Sequence, residues 1–280
     1  MKYWLSLLLS LIALNAYGAC LGDANTKERS YSFYIVPQQA ISDTYVAWAP
    51  VLEKVGKKLG VCFDLHVPLT IPIFESNLSS GTPDFAFMNP FHLFHNKRAQ
   101  DYTPLIADSQ NKLIGILVTK KDSPISKLAD LNGQKIAFPA PNSLAATLLV
   151  KAHLAKSQIQ VIPEYVKSHS NVYRSVIIGD VIAGGGVNNT LSREPESLQE
   201  ELKILFETPK YMPHPLAASS KLSPKIRNAV IQYFIELGQD PNMASQLNAI
   251  QIPKPVKVNL LDYEYVKKLG LEKFAEGSGG

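Results

Sequence analysis

Arginine is scarce in this chain. Five occur in 280 residues, and the formal net charge of +4 is spread without a basic stripe. Tracking of a phosphate backbone is therefore excluded, and nucleic acid is not an expected partner. Cysteine is scarcer still, with Cys20 and Cys62 alone. Beyond the first twenty residues, no stretch approaches the roughly 20 apolar residues that a membrane helix needs. Low-complexity tracts are missing apart from residues 277–280 (GSGG), which are set aside from fold reasoning. Catalytic signatures are missing too: there is no G-x-S-x-G, no H-E-x-x-H and no pair of acids among the candidate site segments. Gly184-Gly185-Gly186 lacks the Lys and Ser/Thr of a phosphate-binding loop and is expected to form a tight turn that lets backbone approach a ligand or the opposite lobe. Catalysis and a cofactor are not expected.

The apolar content of 46% and charged content of 19% are globular values. Lys2, the apolar run 5–14 and the small residues of Ala16-Tyr17-Gly18 make residues 1–19 a candidate secretory signal. About 260 residues then remain, enough for one large domain or two ordinary ones. Three states are open to Cys20 at the cleavage point: lipidation, a disulfide with Cys62 in an oxidising compartment, or a free thiol.

The periodicity alternates between strands and helices. Residues 32–36 (SFYIV) form a strand, and residues 43–59 a helix with Tyr45, Trp48, Leu52 and Val55 on one stripe. Gly60 ends it before a strand at 61–67. Strand, helix and strand of these lengths imply a right-handed βαβ unit and parallel pairing. Further strands are expected at 85–88, 114–119, 136–138, 161–166, 181–183 and 202–206. Helices are expected at 90–100, 143–156, 171–178, 224–237 and 262–269. The chain crosses near 113–120 and returns near 208–219, which suggests two lobes with a cleft between them.

Four strands stop at Pro, Asn, Ser, His or Gly where a helix begins at once: DFAFMNPFH (84–92), KIAFPAPNSLAAT (135–147), VKSHSNVYR (166–174) and DVIAGGGVNNTL (180–191). A helix start offers unpaired N–H groups and the positive end of the dipole, so several aimed at one place suit a small anion.

With VPQQ before TYVAWAPVLEKVGKKLG, with DFAFMNPFHLF, with ILVTKKDSPISKLADLNGQKIAF and with SHSNVYRSVIIGDVIAGGGVNNTL, nearly the whole mature chain resembles the periplasmic solute-binding proteins of phosphonate, phosphite and phosphate ABC transporters. The resemblance implies an α/β, two-lobed type II periplasmic-binding-protein fold. Each lobe is then a mostly parallel sheet flanked by helices, joined by a hinge of two crossing strands that closes on a small oxyanion. It implies lobe 1 at 25–115 and 210–280, lobe 2 at 116–209, a periplasmic location, a monomer and a membrane permease as partner. Because 142–147 reads Asn-Ser-Leu-Ala-Ala-Thr where phosphonate binders of the family carry consecutive hydroxyls, a sensor that reports another oxyanion to a membrane histidine kinase is the alternative.

The resemblance places Tyr45, the turn Asn89 to His92, Asn142, Ser143, His169 and His214 at the pocket; Ser170 and Tyr173 beside His169 complete the candidates. Each has a bland counterpart. Asn89 before Pro90 is in the order for a helix cap, compatible with ligand contact if the N–H groups of residues 91 and 92 stay free. His92 and His95 are three apart, close enough for a metal, but no third ligand is identifiable and no metal is expected. His95 reads as a helix-surface residue, and His214, between two prolines, could sit in solvent. If protonated imidazoles supply the positive charge that arginine does not, affinity for an anion should weaken as pH rises above about 6.5, and a flat titration of affinity across that value would remove the idea.

Overall fold

The computed structural model describes residues 20–23, 30–95 and 98–276; the candidate signal at 1–19 lies outside them. The first strands are β1 Leu21–Gly22 and β2 Ser30–Ile35, after which α1 Ile41–Leu59 leads to β3 Cys62–His66. α1 buries Trp48, Val51, Leu52 and Val55 against the sheet. It stops where Gly60 takes φ 64° and its N–H returns to the Gly56 carbonyl, a conformation that costs glycine nothing. α2 Ile71–Ser80 and β4 Phe85–Phe87 follow. Thr70 caps α2 by accepting from Ile73 N–H.

The chain then lays down β5 Tyr102–Asp108, and β6 Gly115–Lys120 opens a second sheet with β7 Lys135–Phe138, β8 Ile162–Tyr165, β9 Ala183–Val187 and β10 Leu202–Glu207. A π-helical turn, Leu144–Leu149, runs directly into α3 Val150–Lys156. α4 His169–Ile178 lies between β8 and β9, and the short α5 Asn188–Leu191 and α6 Glu196–Gln199 precede β10. The return adds β11 Leu216–Ser219, α7 Pro224–Leu237, α8 Ala244–Ala249, β12 Pro255–Lys257 and α9 Tyr265–Lys268. The two sheets run β1-β3-β2-β4-β11-β5-β12 and β10-β6-β9-β7-β8.

Each sheet is the centre of a lobe with its own buried apolar residues. Phe33, Phe63, Phe85 and Trp48 fill the first; Leu117, Ile136, Phe138 and Leu154 fill one face of the second. Two segments cross between them. Leu113 and Tyr211 exchange both backbone hydrogen bonds at 3.0 Å, and Thr208 N–H reaches the Gly115 carbonyl at 2.8 Å. The two-lobed α/β expectation stands, with mixed pairing. β2 is parallel to β3 and β4, and β7 to β8 and β9, while the return strands pair antiparallel.

Several local expectations differ from the structure. The helix expected over 90–100 is a 3-10 turn, Pro90–Leu93, because Phe94 leaves helical geometry at φ −127°. The glycines Gly184, Gly185 and Gly186 form no turn; they are extended in the middle of β9. Bare backbone is needed there because a Cβ on Gly185 would lie 2.2 Å from the Ala146 carbonyl and one on Gly186 2.5 Å from the Tyr173 hydroxyl. The π-turn and α4 therefore seat directly on the strand. α2, β5, β11 and β12 were not expected.

Cys20 is joined to Cys62 by a disulfide, with Cα atoms 5.3 Å apart. It pins the start of the described chain to the edge of the first sheet, where Leu21 pairs with Phe63.

Gly185→Ala should lower the unfolding free energy by roughly 1–3 kcal/mol through overpacking, read as a reduced urea midpoint. Reduction of the Cys20–Cys62 bond, which closes 42 residues of sequence separation, should cost about 2–4 kcal/mol. The same thiols should be silent to alkylation until reductant is added.

Candidate functional site

The strand ends decide where the polar residues go. β7 and β8 run parallel with Phe138 opposite Tyr165, so the turn that starts at Ser143 and the helix that starts at His169 open at the same edge. In the other lobe β2 and β4 run parallel with Ile35 opposite Phe87, which sends Gln38 and Asn89 out at one edge. The ends meet across the cleft: Asn89 Nδ2 lies 3.4 Å from the Asn142 carbonyl, and Asn142 Nδ2 lies 3.3 Å from Glu75 Oε2.

Three imidazoles gather there from three elements. His92 is 1% exposed, His169 2% and His214 6%, and they lie near enough that His92 and His169 both disfavour a charge on His214. His92 Nε2 donates to Glu75 Oε1 at 3.0 Å. His214 stacks on Phe87 with ring centroids 5.6 Å apart, and its Nε2 contacts Gln38 Nε2 at 3.3 Å. His169 Nδ1 is buried with no hydrogen-bond partner among the described residues. Buried polar atoms in native proteins are nearly always bonded, so an unpartnered imidazole nitrogen at this position is unusual.

Burial pushes the His169 imidazole down to about 4 and that of His214 down to about 3, the latter also through its two imidazole neighbours. Both rings are neutral at neutral pH. The titration expected near 6.5 is therefore displaced downward by desolvation, which penalises the charged form. A neutral imidazole still offers one donor and one acceptor.

The helix starts contribute unequally. Asn89 Oδ1 accepts from both Phe91 N–H, at 2.9 Å, and His92 N–H, at 3.3 Å, so the donors needed for ligand contact at this turn are already used. At the π-turn the Ser143 carbonyl accepts from the N–H groups of Thr147 and Leu148, which leaves those of Leu144, Ala145 and Ala146 as the open donors. At α4, Ser168 Oγ takes Asn171 N–H, and the first two N–H groups of the helix precede it.

The remaining candidates have other partners. Both polar atoms of the Asn142 side chain bond the backbone of Glu276, at 2.9 and 3.0 Å. Ser143 is buried next to it. Ser170 Oγ donates to Glu194 Oε1. The Tyr173 hydroxyl is held inside the second lobe by Thr190 Oγ1 and the Val187 backbone. Tyr45 is 38% exposed on α1. His95, expected on a helix surface, stacks on Phe91 at 4.0 Å and pairs with Glu272 at 2.7 Å. No group of three or more His, Cys, Asp or Glu among the described residues is arranged to hold a metal.

Sequence reasoning missed Glu75 and Gln38. Glu75 is on α2, whose only signal is Thr70 before Ile71-Pro72. Gln38 stood in the VPQQ segment without a role. Arg193 was missed as well: its guanidinium donates to Gln39 Oε1 at 3.3 Å and to the Asn248 carbonyl at 2.8 Å, both in the other lobe.

A family profile described as "ABC transporter, phosphonate, periplasmic substrate-binding protein" matches residues 33–263. The phosphonates-binding periplasmic protein of Escherichia coli (strain K12) is 21% identical over 243 residues, 81% of this chain and 72% of that protein. Among solved structures, a binding protein component of an ABC phosphonate transporter from Pseudomonas aeruginosa superposes with a TM-score of 0.77 at 15% identity, covering 86% of this chain and 85% of the other. PhnD1 from Prochlorococcus marinus (MIT 9301) in complex with methylphosphonate gives a TM-score of 0.78 at 13% identity, covering 86% and 97%. The two-lobed fold is thus shared with these proteins.

The folded pKa values of His169 and His214 lie below the ordinary value of 6.5. The unfolded chain then binds more protons between pH 6.5 and those values, and stability falls as acid is added through that window. The loss should be on the order of 3 kcal/mol per imidazole by pH 4 or below. Urea unfolding across pH 7.5 to 4 should show it, and His169→Leu should flatten the slope.

Proposed function

Because the chain belongs to the family of ABC transporter, phosphonate, periplasmic substrate-binding proteins, we propose that it is a periplasmic protein that closes around a small phosphorus oxyanion and delivers it to a membrane permease. The observation that carries this reading is the His169 imidazole, buried with an unpartnered Nδ1 at the helix start where family resemblance puts the ligand. An oxyanion reaching it would meet the open N–H groups of Leu144, Ala145 and Ala146, with His214 on the opposite lobe. These are directional donors in a water-poor site, where each contributes more than at a surface. The ligand's negative charge would also favour proton uptake by the two neutral rings, so binding should strengthen as pH falls towards the value at which the empty protein loses stability.

The family is one of substrate-binding proteins, and among the described residues no nucleophile with a base and an orienter is set up in the cleft. In this reading residues 1–19 are a cleaved export signal. The disulfide at Cys20 occupies the sulfur that a lipid anchor needs, so the mature protein diffuses freely. The crossing segments at Leu113 and Tyr211 act as the hinge, and the bonds of Arg193 to Gln39 and Asn248 run from one lobe to the other. No observation favours a histidine kinase as partner.

A thermal-shift panel of methylphosphonate, phosphite and phosphate on ligand-stripped protein tests the proposal. A ligand at about 100 times its dissociation constant should add about 2.7 kcal/mol of stability. His169→Leu should weaken that ligand by roughly 1.5–3 kcal/mol without lowering the stability of the empty protein at neutral pH. Indifference to all three ions would sink the phosphorus-oxyanion reading.

A further inference from the structure

A row of side-chain amides ends at His214 and starts in the other lobe. Asn189 stands on α5, directly after β9 of the second sheet. Its Nδ2 donates to Gln251 Oε1 at 2.6 Å. Gln251, between α8 and β12 of the first lobe, donates from Nε2 to Gln38 Oε1 at 3.1 Å. Gln38, only 6% exposed, then points its Nε2 at His214 Nε2 at 3.3 Å. Every bond in the row runs the same way, nitrogen to acceptor, so the last acceptor has to be an imidazole nitrogen without a proton. A carboxamide has one accepting and one donating end, and turning any member of the row obliges the next to turn.

We propose that Asn189, Gln251 and Gln38 are positioning residues that carry the direction of a bond made across the lobes to His214, fixing its proton on Nδ1 so that this nitrogen is the donor presented to the ligand. The inference rests on the proposed function only in assigning that donor a ligand. The relay itself is a property of the protein alone.

Several features of the structure support it. His214 is neutral at neutral pH because burial opposes its charge, so its proton has two places to be. No described residue bonds its Nδ1, whereas the Gln38 contact occupies Nε2. The Asn189 oxygen is buried without a partner, so the bond from Nδ2 to Gln251 is the one side-chain hydrogen bond described for that amide. Gln251 itself holds φ 66°, a conformation few non-glycine residues adopt, in the short segment that brings it between the lobes.

The test is the tautomer of His214, read from the ring 15N and 13C shifts of histidine-labelled, ligand-free full-length protein at pH 7, with His214→Gln identifying its signals among the six histidines. The native protein should show Nε2 as the unprotonated nitrogen and Nδ1 as the protonated one. Asn189→Asp cannot donate, so Gln251 and Gln38 should both turn and the His214 shifts should reverse, although the change is made in the other lobe. Gln251→Glu keeps the bond from Asn189 but cannot donate to Gln38, and it should reverse the shifts too. Gln251→Met should leave a mixture. The rings of His66 and His153, outside the cleft, and the thermal midpoint report whether each variant is folded. A native Nε2–H tautomer, or a native pattern retained in all three variants, overturns the proposal. Reversal by Gln251→Glu with none by Asn189→Asp overturns its cross-lobe part. Because no ligand enters the measurement, failure of the oxyanion panel leaves this result unaffected.

Discussion

Parallel pairing is the constraint on which the rest of this molecule depends. Where β7 runs beside β8 and β9, and β2 beside β3 and β4, every strand of a group must end at the same edge. The chain must then turn into its helix there, with unpaired N–H groups and capping side chains concentrated in one band. Two such bands face each other because two segments, joined at Leu113 and Tyr211, carry the chain from one sheet to the other and back. The glycines of β9 serve the same end. By letting the π-turn and α4 sit against bare backbone, they set how far those helix starts stand from the cleft.

The electrostatics of the cleft follow from how completely it is buried. Lysine or arginine aimed at an oxyanion would bring a permanent charge at a large desolvation cost, and this chain has few arginines to use. Imidazoles avoid the cost by staying neutral. His169 and His214 are held well below their ordinary titration range by burial, and Arg193, which bridges the lobes, is bonded to Gln39 and Asn248. In the proposed site, recognition would depend on the direction of each donor more than on net charge. The neutral amides Gln38 and Asn89 contact His214 and His92, and Gln251 and Asn189 extend the row from Gln38. Micromolar affinity needs only about 8 kcal/mol, within reach of a few well-aimed donors at roughly 1–3 kcal/mol each.

Much of this was legible in the residues. The Trp48, Leu52 and Val55 stripe, the stop at Gly60 and the strand-to-helix breaks at 135–147 and 166–174 follow from local periodicity and turn chemistry, so both the α/β class and the helix start near His169 were reachable. β5, β11 and β12 were not, since short antiparallel return strands carry no pattern of their own and are defined by the neighbours they pair with. The glycine run misled for a similar reason. Alone it reads as a turn, and only the Ala146 carbonyl and the Tyr173 hydroxyl beside it explain why glycine is required in an extended strand. Tyr173 and Ser170 show the limit of adjacency: they neighbour His169 in sequence, but helical geometry turns them towards Thr190 and Glu194.

The sequence by itself determined the class of fold, the edges at which helices begin and the scarcity of arginine, because these depend on contacts between near neighbours and on composition. Tertiary structure alone decided that Cys20 meets Cys62, that Glu75 meets His92 and Asn142, and that three amides far apart in the chain line up on His214. Such contacts join residues separated by 42 positions for the cysteines and 213 for Gln38 and Gln251. No local preference encodes them; they arise when two sheets, each satisfying its own backbone bonds, close on each other and leave the remaining polar atoms to find partners across the gap.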